Sequence, residues 1–163
     1  MRTELAAGIT VITAITIIGG AGVATAGASQ GATRTEHFRI MNTEATSSRL
    51  SVIVTGAFTA GGHVIPAAVT DIVVFRGGTF KFRHVSHSGT ASFNSTTCLL
   101  TETERGTFTI DHGTGKYAGI RGSGNFVTSI VAITAKNRAG RCTHVQAPAT
   151  YQEITTATGT VSR

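Results

Sequence analysis

The sequence has no tryptophan and few of the charged residues that cover most soluble proteins. Charged residues make up 13% of its 163 residues, about half of the roughly one quarter that is usual. Because exposed helix faces need Glu, Lys and Arg, this scarcity argues against a helical protein. Glycine is frequent at 20 residues, and Thr, Val and Ile are abundant. These residues favour strands and tight turns, so the composition predicts an all-β fold.

A long uncharged segment follows Arg2 and extends from Leu5 to Ala26. Two small-x-small patterns end it, which predict a signal peptide over residues 1–28 that is cleaved after Ala26 or Ala28. The protein is then secreted, to the extracellular space or the cell envelope, and meets the membrane only transiently. The alternative is a retained anchor, because an uncharged segment of this length can span a bilayer. Residues 29–163 are predicted to form one domain.

Only two cysteines are present, Cys98 and Cys142. In an oxidising compartment such a pair predicts a disulfide bond, which closes a long loop. A metal site is a weaker alternative, because neither cysteine has a His or Cys at metal-ligand spacing. A redox pair is weaker still without a C-x-x-C motif.

The formal net charge of +6 predicts attraction to anionic polymers of the cell envelope. Solubility alone explains the same charge, and the sequence leaves both explanations open. The basic residues are scattered and are not interleaved with aromatic residues, which excludes nucleic acid as the expected partner.

Short segments of alternating polarity fill the chain after about residue 34, and no segment has the period of an amphipathic helix. Thr79–Val85 alternates most regularly, with Phe80, Phe82 and His84 on one face. Gly77-Gly78 predicts a hairpin turn before this strand. Ser86–Thr97 is polar and is expected to be a loop, whereas Tyr117–Ile120 is expected to be a short strand. About eight strands result, which indicates an antiparallel sandwich or barrel.

Several strand candidates are apolar on both faces, among them Ile72–Phe75 and Ile130–Ile133. A closed antiparallel barrel explains this pattern if one face fills the interior and loops or a second copy of the chain cover the other. We therefore expect a single eight-stranded barrel, and we count a homo-oligomer among its predicted states.

A glycine-rich motif extends over Gly106–Ile110, Gly113–Ile120 and Gly122–Gly124. It resembles the signature of the allene oxide cyclase-like and dirigent-like barrel superfamily, in particular its small secreted bacterial members. The glycines of the motif are Gly106, Gly113, Gly115, Gly119, Gly122 and Gly124. They permit positive φ and close strand approach, which gives them a structural role rather than phosphate binding.

This resemblance implies an antiparallel barrel of eight strands that often self-associates. Plant members of the superfamily bind apolar small molecules, and some direct cyclisation or radical coupling. The sequence has no acidic, Tyr or Cys constellation that matches their catalytic residues, so the resemblance transfers no catalytic role to this chain.

The strand phase points His84 inward beside Phe80 and Phe82, where a buried imidazole needs a hydrogen-bond partner. Asp71 and Glu153 share strand faces with apolar residues and can orient a ligand or act as acid and base. Solvated ion pairs with arginines at a barrel rim explain the same carboxylates. The predicted ligand-binding set is Phe80, Phe82, His84, Asp71, Tyr151 and Glu153. The histidines do not converge by phase, so neither a metal nor a cofactor is expected.

Three functions fit these patterns. The first is binding of a small apolar or phenolic molecule in the barrel interior. The second is a non-catalytic structural or interaction role in the envelope, and the third is a cyclase or isomerase. An interior cavity of at least about 300 Å³ favours binding, and a fully packed interior favours the structural role. Catalysis further requires titratable groups that converge in the cavity.

Overall fold

The computed structural model describes residues 32–143 and 145–163. The predicted signal peptide over residues 1–28 lies outside these residues. The strands are β1 Arg34–Asn42, β2 Leu50–Gly56, β3 Ala60–Ile65, β4 Thr70–Phe75, β5 Gly78–Asn94, β6 Leu99–Asp111, β7 Arg121–Ile133, β8 Ala135–Lys136, β9 Cys142–Thr143 and β10 Thr150–Ser162. Within the described part of the chain, no helix has the length and apolar character needed to cross a membrane.

Eight of the strands form one antiparallel sheet that closes into a ring. Their order around the ring is β1, β10, β7, β6, β5, β4, β3 and β2, and β2 pairs with β1 to complete it. The two remaining strands, β8 and β9, form a separate small hairpin. The all-β prediction and the number of main strands are therefore confirmed.

Alternation along the strands decides which side chains lie inside the ring. On β1, Glu36, Phe38 and Ile40 are buried, whereas His37 and Arg39 are exposed. The same period of two recurs on β2, on the second half of β6 and on the first half of β5. One face of each strand therefore contributes to a shared apolar interior.

Aromatic side chains fill the middle of this interior. Phe82 stacks on Phe108 with ring centroids 4.5 Å apart, and Phe38 meets both rings edge-on at 5.7 Å. Phe80 continues the cluster toward Tyr117, at 5.8 Å. Offset and edge-on pairs of this kind each add roughly 0.5–1.5 kcal/mol beyond the burial of their area.

Two glycines on neighbouring strands make room for this cluster. Gly124 on β7 pairs with Gly159 on β10. A Cβ added at either position would lie 2.8 Å from a ring carbon of Phe108 and 2.2 Å from a backbone carbonyl oxygen. The absence of side chains there lets the Phe108 ring lie directly against the sheet.

Four strands, β5, β6, β7 and β10, are longer than the other strands of the ring and continue beyond it at one end. The expected loop at Ser86–Thr97 was wrong, because β5 continues to Asn94 and pairs with β6 beyond a bulge between Ser86 and Ser88. The polar residues in this segment reflect exposure of the extension, since most of them are solvent-exposed.

Two further local predictions need correction. The expected strand at Tyr117–Ile120 was wrong: Gly115–Tyr117 is a short 3-10 helix, which lets the Tyr117 ring turn into the core. The hairpin before Phe80 is present, but its two turn residues are Arg76 and Gly77, because Gly78 already pairs with Phe75. Gly77 has φ +99°, a conformation that glycine adopts without strain.

The disulfide between Cys98 and Cys142 is formed, as the sequence predicts. Cys98 is fully buried in the turn between β5 and β6, and Cys142 begins β9. The bond thus attaches the small β8–β9 hairpin to the extension of the ring. Thr134 reinforces this attachment, since its backbone N–H donates to the carbonyl oxygen of Cys98 at 2.9 Å.

Candidate functional site

A cavity of about 190 Å³ lies inside the ring, at the end where the loop 66–69 joins β3 to β4. We call it the acidic cavity, because the titratable side chains in its lining are three carboxylates, Asp71, Glu104 and Glu153, and one histidine, His84. Its other lining residues are Ile40, Leu50, Val64, Pro66, Ala67, Phe82, Phe126, Thr128, Ile130 and Thr155. No Lys or Arg of the described chain lines it, and its walls are mainly apolar.

Asp71 and His84 form the central polar pair of this cavity. Asp71 lies on β4 and His84 on the neighbouring strand β5, with Nε2 of His84 3.6 Å from Oδ1 of Asp71. The Asp71 carboxylate also accepts a hydrogen bond of 2.9 Å from the backbone N–H of Ala67. The His84 ring packs edge-on against Phe126 at 6.2 Å, which fixes its orientation on the apolar side.

Burial raises the pKa of the Asp71 carboxyl above its usual value. The hydrogen bond from Ala67 and the nearby His84 act in the opposite direction, and the charge of Glu153 adds to the rise. The carboxylates of Asp71 on β4 and Glu153 on β10 therefore repel each other electrostatically across the cavity. A carboxyl in this setting can accept a hydrogen bond when ionised and donate one when protonated.

The other two carboxylates are held by neighbouring hydroxyl groups. The Tyr151 hydroxyl donates to Oε2 of Glu153 at 3.0 Å, and Ser86 donates to Glu104. Burial and the Glu153 charge raise the pKa of Tyr151, which keeps its hydroxyl protonated as a donor. Thr128 and Thr155 share a hydrogen bond of 2.7 Å in the cavity wall. These contacts position oxygen atoms around the cavity before any ligand enters.

The residues predicted as a ligand-binding set are thus brought together in part. Phe82, His84, Asp71 and Glu153 line the acidic cavity. Tyr151 is absent from the lining and reaches it only through Glu153. Phe80 is also absent, because it packs into the aromatic cluster beside Phe75 and Tyr117. Two arginines on the neighbouring strand and turn, Arg83 and Arg76, are both exposed and lie outside the lining.

The cavity is smaller than the about 300 Å³ expected of a site for a drug-sized ligand. The reason is the aromatic cluster, which fills the middle of the ring, so that the acidic cavity is confined to one end of it. Sequence reasoning also missed Glu104, although Glu104 is two residues from Gly106 and four from Phe108, so strand phase places it on the inner face.

None of the glycines of the motif lines this cavity. Gly113, Gly115 and Gly119 surround the 3-10 helix that carries Tyr117, and Gly115 and Gly119 have positive φ. Gly106, Gly122 and Gly124 lie in β6 and β7, where an added Cβ would meet backbone oxygens of the neighbouring strands.

Within residues 32–143 and 145–163, no group of three or more His, Cys, Asp or Glu side chains is arranged to hold a metal ion. Chemically, the cavity can hold an apolar group against its walls while its carboxylates accept hydrogen bonds from that group's hydroxyl or amine.

Comparison of the chain with protein-family models, with curated proteins and with solved structures finds no match. The resemblance to the allene oxide cyclase-like and dirigent-like superfamily therefore has no support from a matched protein.

Proposed function

We propose that this protein is a secreted binding protein that holds a small, mostly apolar molecule with a hydroxyl group, such as a phenol, in the acidic cavity. The observation that carries the proposal is the combination of apolar walls with the Asp71 and His84 pair, which lies 3.6 Å apart in the same lining. Sites for small molecules have this composition, with apolar walls and a few placed polar groups.

The size of the cavity limits the ligand. A dry cavity of about 150 Å³ holds a single benzene ring in another protein, and the acidic cavity has about 190 Å³. We therefore propose a ligand with one ring or a short chain. The glycine motif and the closed ring of eight strands support the wider proposal that the chain is an allene oxide cyclase-like barrel. The disulfide supports secretion.

Calorimetric titration with p-cresol tests this function, with toluene as the probe without a hydroxyl. We expect saturable binding of p-cresol at one site. Ile130 lines the acidic cavity, so the larger side chain of Ile130→Trp should fill the cavity and abolish binding. Val131→Trp is the matched control, because Val131 is the next residue on β7 and is 45% exposed. Equal binding by both variants, or no binding of either probe to the unaltered protein, would contradict the proposal.

A second candidate is a non-catalytic envelope protein that attaches through its cationic outer surface. Arg39, Lys81, Arg83 and Arg105 are exposed on strand faces opposite to the buried residues. This candidate predicts salt-sensitive retention on an anionic cell-wall polymer, with a loss on charge-neutralising substitution of these four residues. Retention that persists in that variant would exclude it.

A further inference from the structure

A second cavity, of about 390 Å³, lies at the opposite end of the ring. Two strands run from one cavity to the other. β4 carries Asp71 of the acidic cavity and ends at Phe75 of the second cavity. β10 carries Glu153 of the acidic cavity and is followed by Arg163 of the second cavity. Ten residues of strand span about 30 Å, so the two cavities are separate sites. We call the second one the basic cavity. It is lined by Phe58, Thr59, Ala60, Gly61, Phe75, Arg76, Lys116, Tyr117 and Arg163.

Its lining contains three cationic side chains and, among the described residues, no Asp or Glu. An adjacent cavity of about 230 Å³ shares Phe58 and Arg163 with it and adds a fourth cation, Arg34. The charge of this end is thus opposite to that of the acidic cavity. Because unpaired cations that face one space repel each other, an anion in that space would be stabilised by all of them.

Backbone hydrogen bonds hold two of these cations together. The backbone N–H of Lys116 donates to the carbonyl oxygen of Gly77 at 2.8 Å, which fastens the 3-10 helix to the turn that carries Arg76. The side-chain carbons of Lys116 also pack over Gly77. A Cβ added at Gly77 would lie 2.9 Å from Cδ of Lys116. These contacts hold the turn that carries Arg76 and the helix that carries Lys116 in fixed positions before a ligand binds, which lowers the entropy cost of binding.

The third cation is placed by contacts of its own. The Arg163 guanidinium donates to the backbone carbonyl oxygen of Lys116, and it lies 5.9 Å from the centroid of the Tyr117 ring. A guanidinium over an aromatic face is held by cation–π attraction. Arg163 keeps further N–H donors, since the guanidinium has five.

The floor of the basic cavity is aromatic. Phe58, Phe75 and Tyr117 contact one another with centroid separations of 5.3–6.2 Å. A hydrogen bond to a buried residue fixes the position of Phe58: its backbone N–H donates to Oε2 of Glu36 at 3.1 Å. Glu36 has no exposed surface and does not line the cavity, so its carboxylate is not available to pair with the cations there.

We propose that the basic cavity is a second ligand site, specific for amphiphilic anions: molecules with a carboxylate or phosphate group on a short apolar chain or ring. The anionic group contacts Arg76, Lys116 and Arg163, and the apolar part lies on the Phe58, Phe75 and Tyr117 floor. This site differs in place and in ligand charge from the acidic cavity, and it does not depend on the function proposed for that cavity.

Tyrosine fluorescence tests this proposal directly, because the chain has two tyrosines and no tryptophan. In the Tyr151→Phe variant Tyr117 is the sole reporter, and it belongs to the basic cavity. The probes are hexanoate and hexyl phosphate, with hexylammonium and hexanol as the cationic and neutral probes. We expect saturable changes in emission with the two anions, and their relative affinities identify the preferred head group.

Charge removal then locates the site. In the Tyr151→Phe background, Arg76→Gln with Lys116→Gln should weaken anion binding by roughly tenfold or more. Lys81→Gln with Arg83→Gln removes the same net charge from the outer face and should leave the affinity unchanged. The side chains of Arg76, in a turn, and of Lys116, in the 3-10 helix, are exposed, so these variants keep the fold, and Lys116→Gln alone provides a second, milder variant. Equal weakening by both double variants, or equal binding of hexylammonium and hexanoate, would overturn the proposal.

Discussion

The imidazole of His84 and the carboxylate of Asp71 lie 3.6 Å apart on neighbouring strands, and both line the acidic cavity. A ligand hydroxyl that enters the cavity meets an acceptor and a ring nitrogen at the same place. The backbone N–H of Ala67 donates to the Asp71 carboxylate, and the Phe126 ring packs against the His84 ring. The cavity therefore presents polar groups in fixed positions within an apolar wall, the arrangement that gives small-molecule sites their specificity.

Replacement of His84 by phenylalanine should separate the polar from the apolar part of ligand binding. The ring and its contact with Phe126 are kept, but the hydrogen-bonding nitrogens are lost. We expect p-cresol affinity to fall by about fivefold to tenfold, the value of one hydrogen bond. Calorimetry measures this change. His87→Phe is the matched control, because His87 is exposed and bonds to Thr107 on the strand beside it. An equal loss in both variants would contradict the role of His84.

The buried carboxyl of Glu36 should make stability depend on pH. Burial raises its pKa above the unfolded value near 4.5, and its Oε1 has no hydrogen-bond partner among the residues that the structure describes. The folded state therefore holds the proton more tightly than the unfolded state. Stability from this group is complete below about pH 4.5 and is lost as pH rises through the folded pKa.

Glu36→Gln removes this titration and keeps an oxygen to accept from Phe58. Urea unfolding between pH 4 and pH 8 should show a shallower decline in stability with rising pH for the variant. One proton accounts for at most about 1.4 kcal/mol per pH unit. Asp71, whose pKa burial also raises, contributes in the same direction and remains in both proteins. Glu44→Gln, at an exposed residue, serves as control. Parallel curves for the Glu36→Gln variant and the unaltered protein would refute this account.

Removal of the disulfide should destabilise the whole ring rather than the small hairpin alone. Cys98→Ala with Cys142→Ala frees a loop that the bond otherwise closes over a sequence separation of 44 residues. The loop-entropy estimate is about 4 kcal/mol, and measured losses are typically about 2–4 kcal/mol. Urea unfolding of the variant, compared with the oxidised protein, gives the value. A loss confined to the signals of residues 135–143, with unchanged global stability, would contradict this expectation.

The Gly124 and Gly159 pair should tolerate no side chain. Gly124→Ala brings a Cβ within 2.2 Å of the Thr158 carbonyl oxygen and 2.8 Å of the Phe108 ring. We expect a loss of about 1–3 kcal/mol in unfolding free energy, the usual cost of overpacking. Gly61→Ala is the control, since no atom lies within 4 Å of its added Cβ. Thermal unfolding of the two variants compares them, and equal stability would show that the strands can separate there.

Period-two alternation was enough to predict the antiparallel strands and their inner faces, because Phe80, Phe82 and Phe108 repeat on one face of their strands, whereas closure into a ring was inferred from strands that are apolar on both faces. Alternation also placed Asp71, His84 and Glu153 on inner faces, which is why four of the six predicted ligand-binding residues line one cavity. The same rule misassigned Ser86–Asn94, since an exposed strand with small polar residues has the composition of a loop. Tyr117 was misplaced for another reason: positive φ at Gly115 and Gly119 turns the chain there.

The charge separation between the two ends of the ring could not be predicted from the sequence. Arg76, Lys116 and Arg163 are far apart along the chain, and they meet only because a turn, a 3-10 helix and the end of β10 lie at the same end. The volume of the interior cavity could not be predicted from the sequence either. Strand phase shows that Phe80 and Phe82 both point inward, but only packing shows that Phe80 fills the core and Phe82 borders a cavity.

Nuclear Overhauser contacts between p-cresol and methyl groups of the protein test the central claim most directly. If the acidic cavity is the binding site, the ligand ring contacts the methyl groups of Val64 and Ile130, which line it. Ile53 and Ile72 provide the comparison, because they are 48% and 41% exposed on the outside of the ring. Contacts to Val64 and Ile130 alone are the predicted result. Contacts to the outer methyl groups only, or to none, would contradict the account.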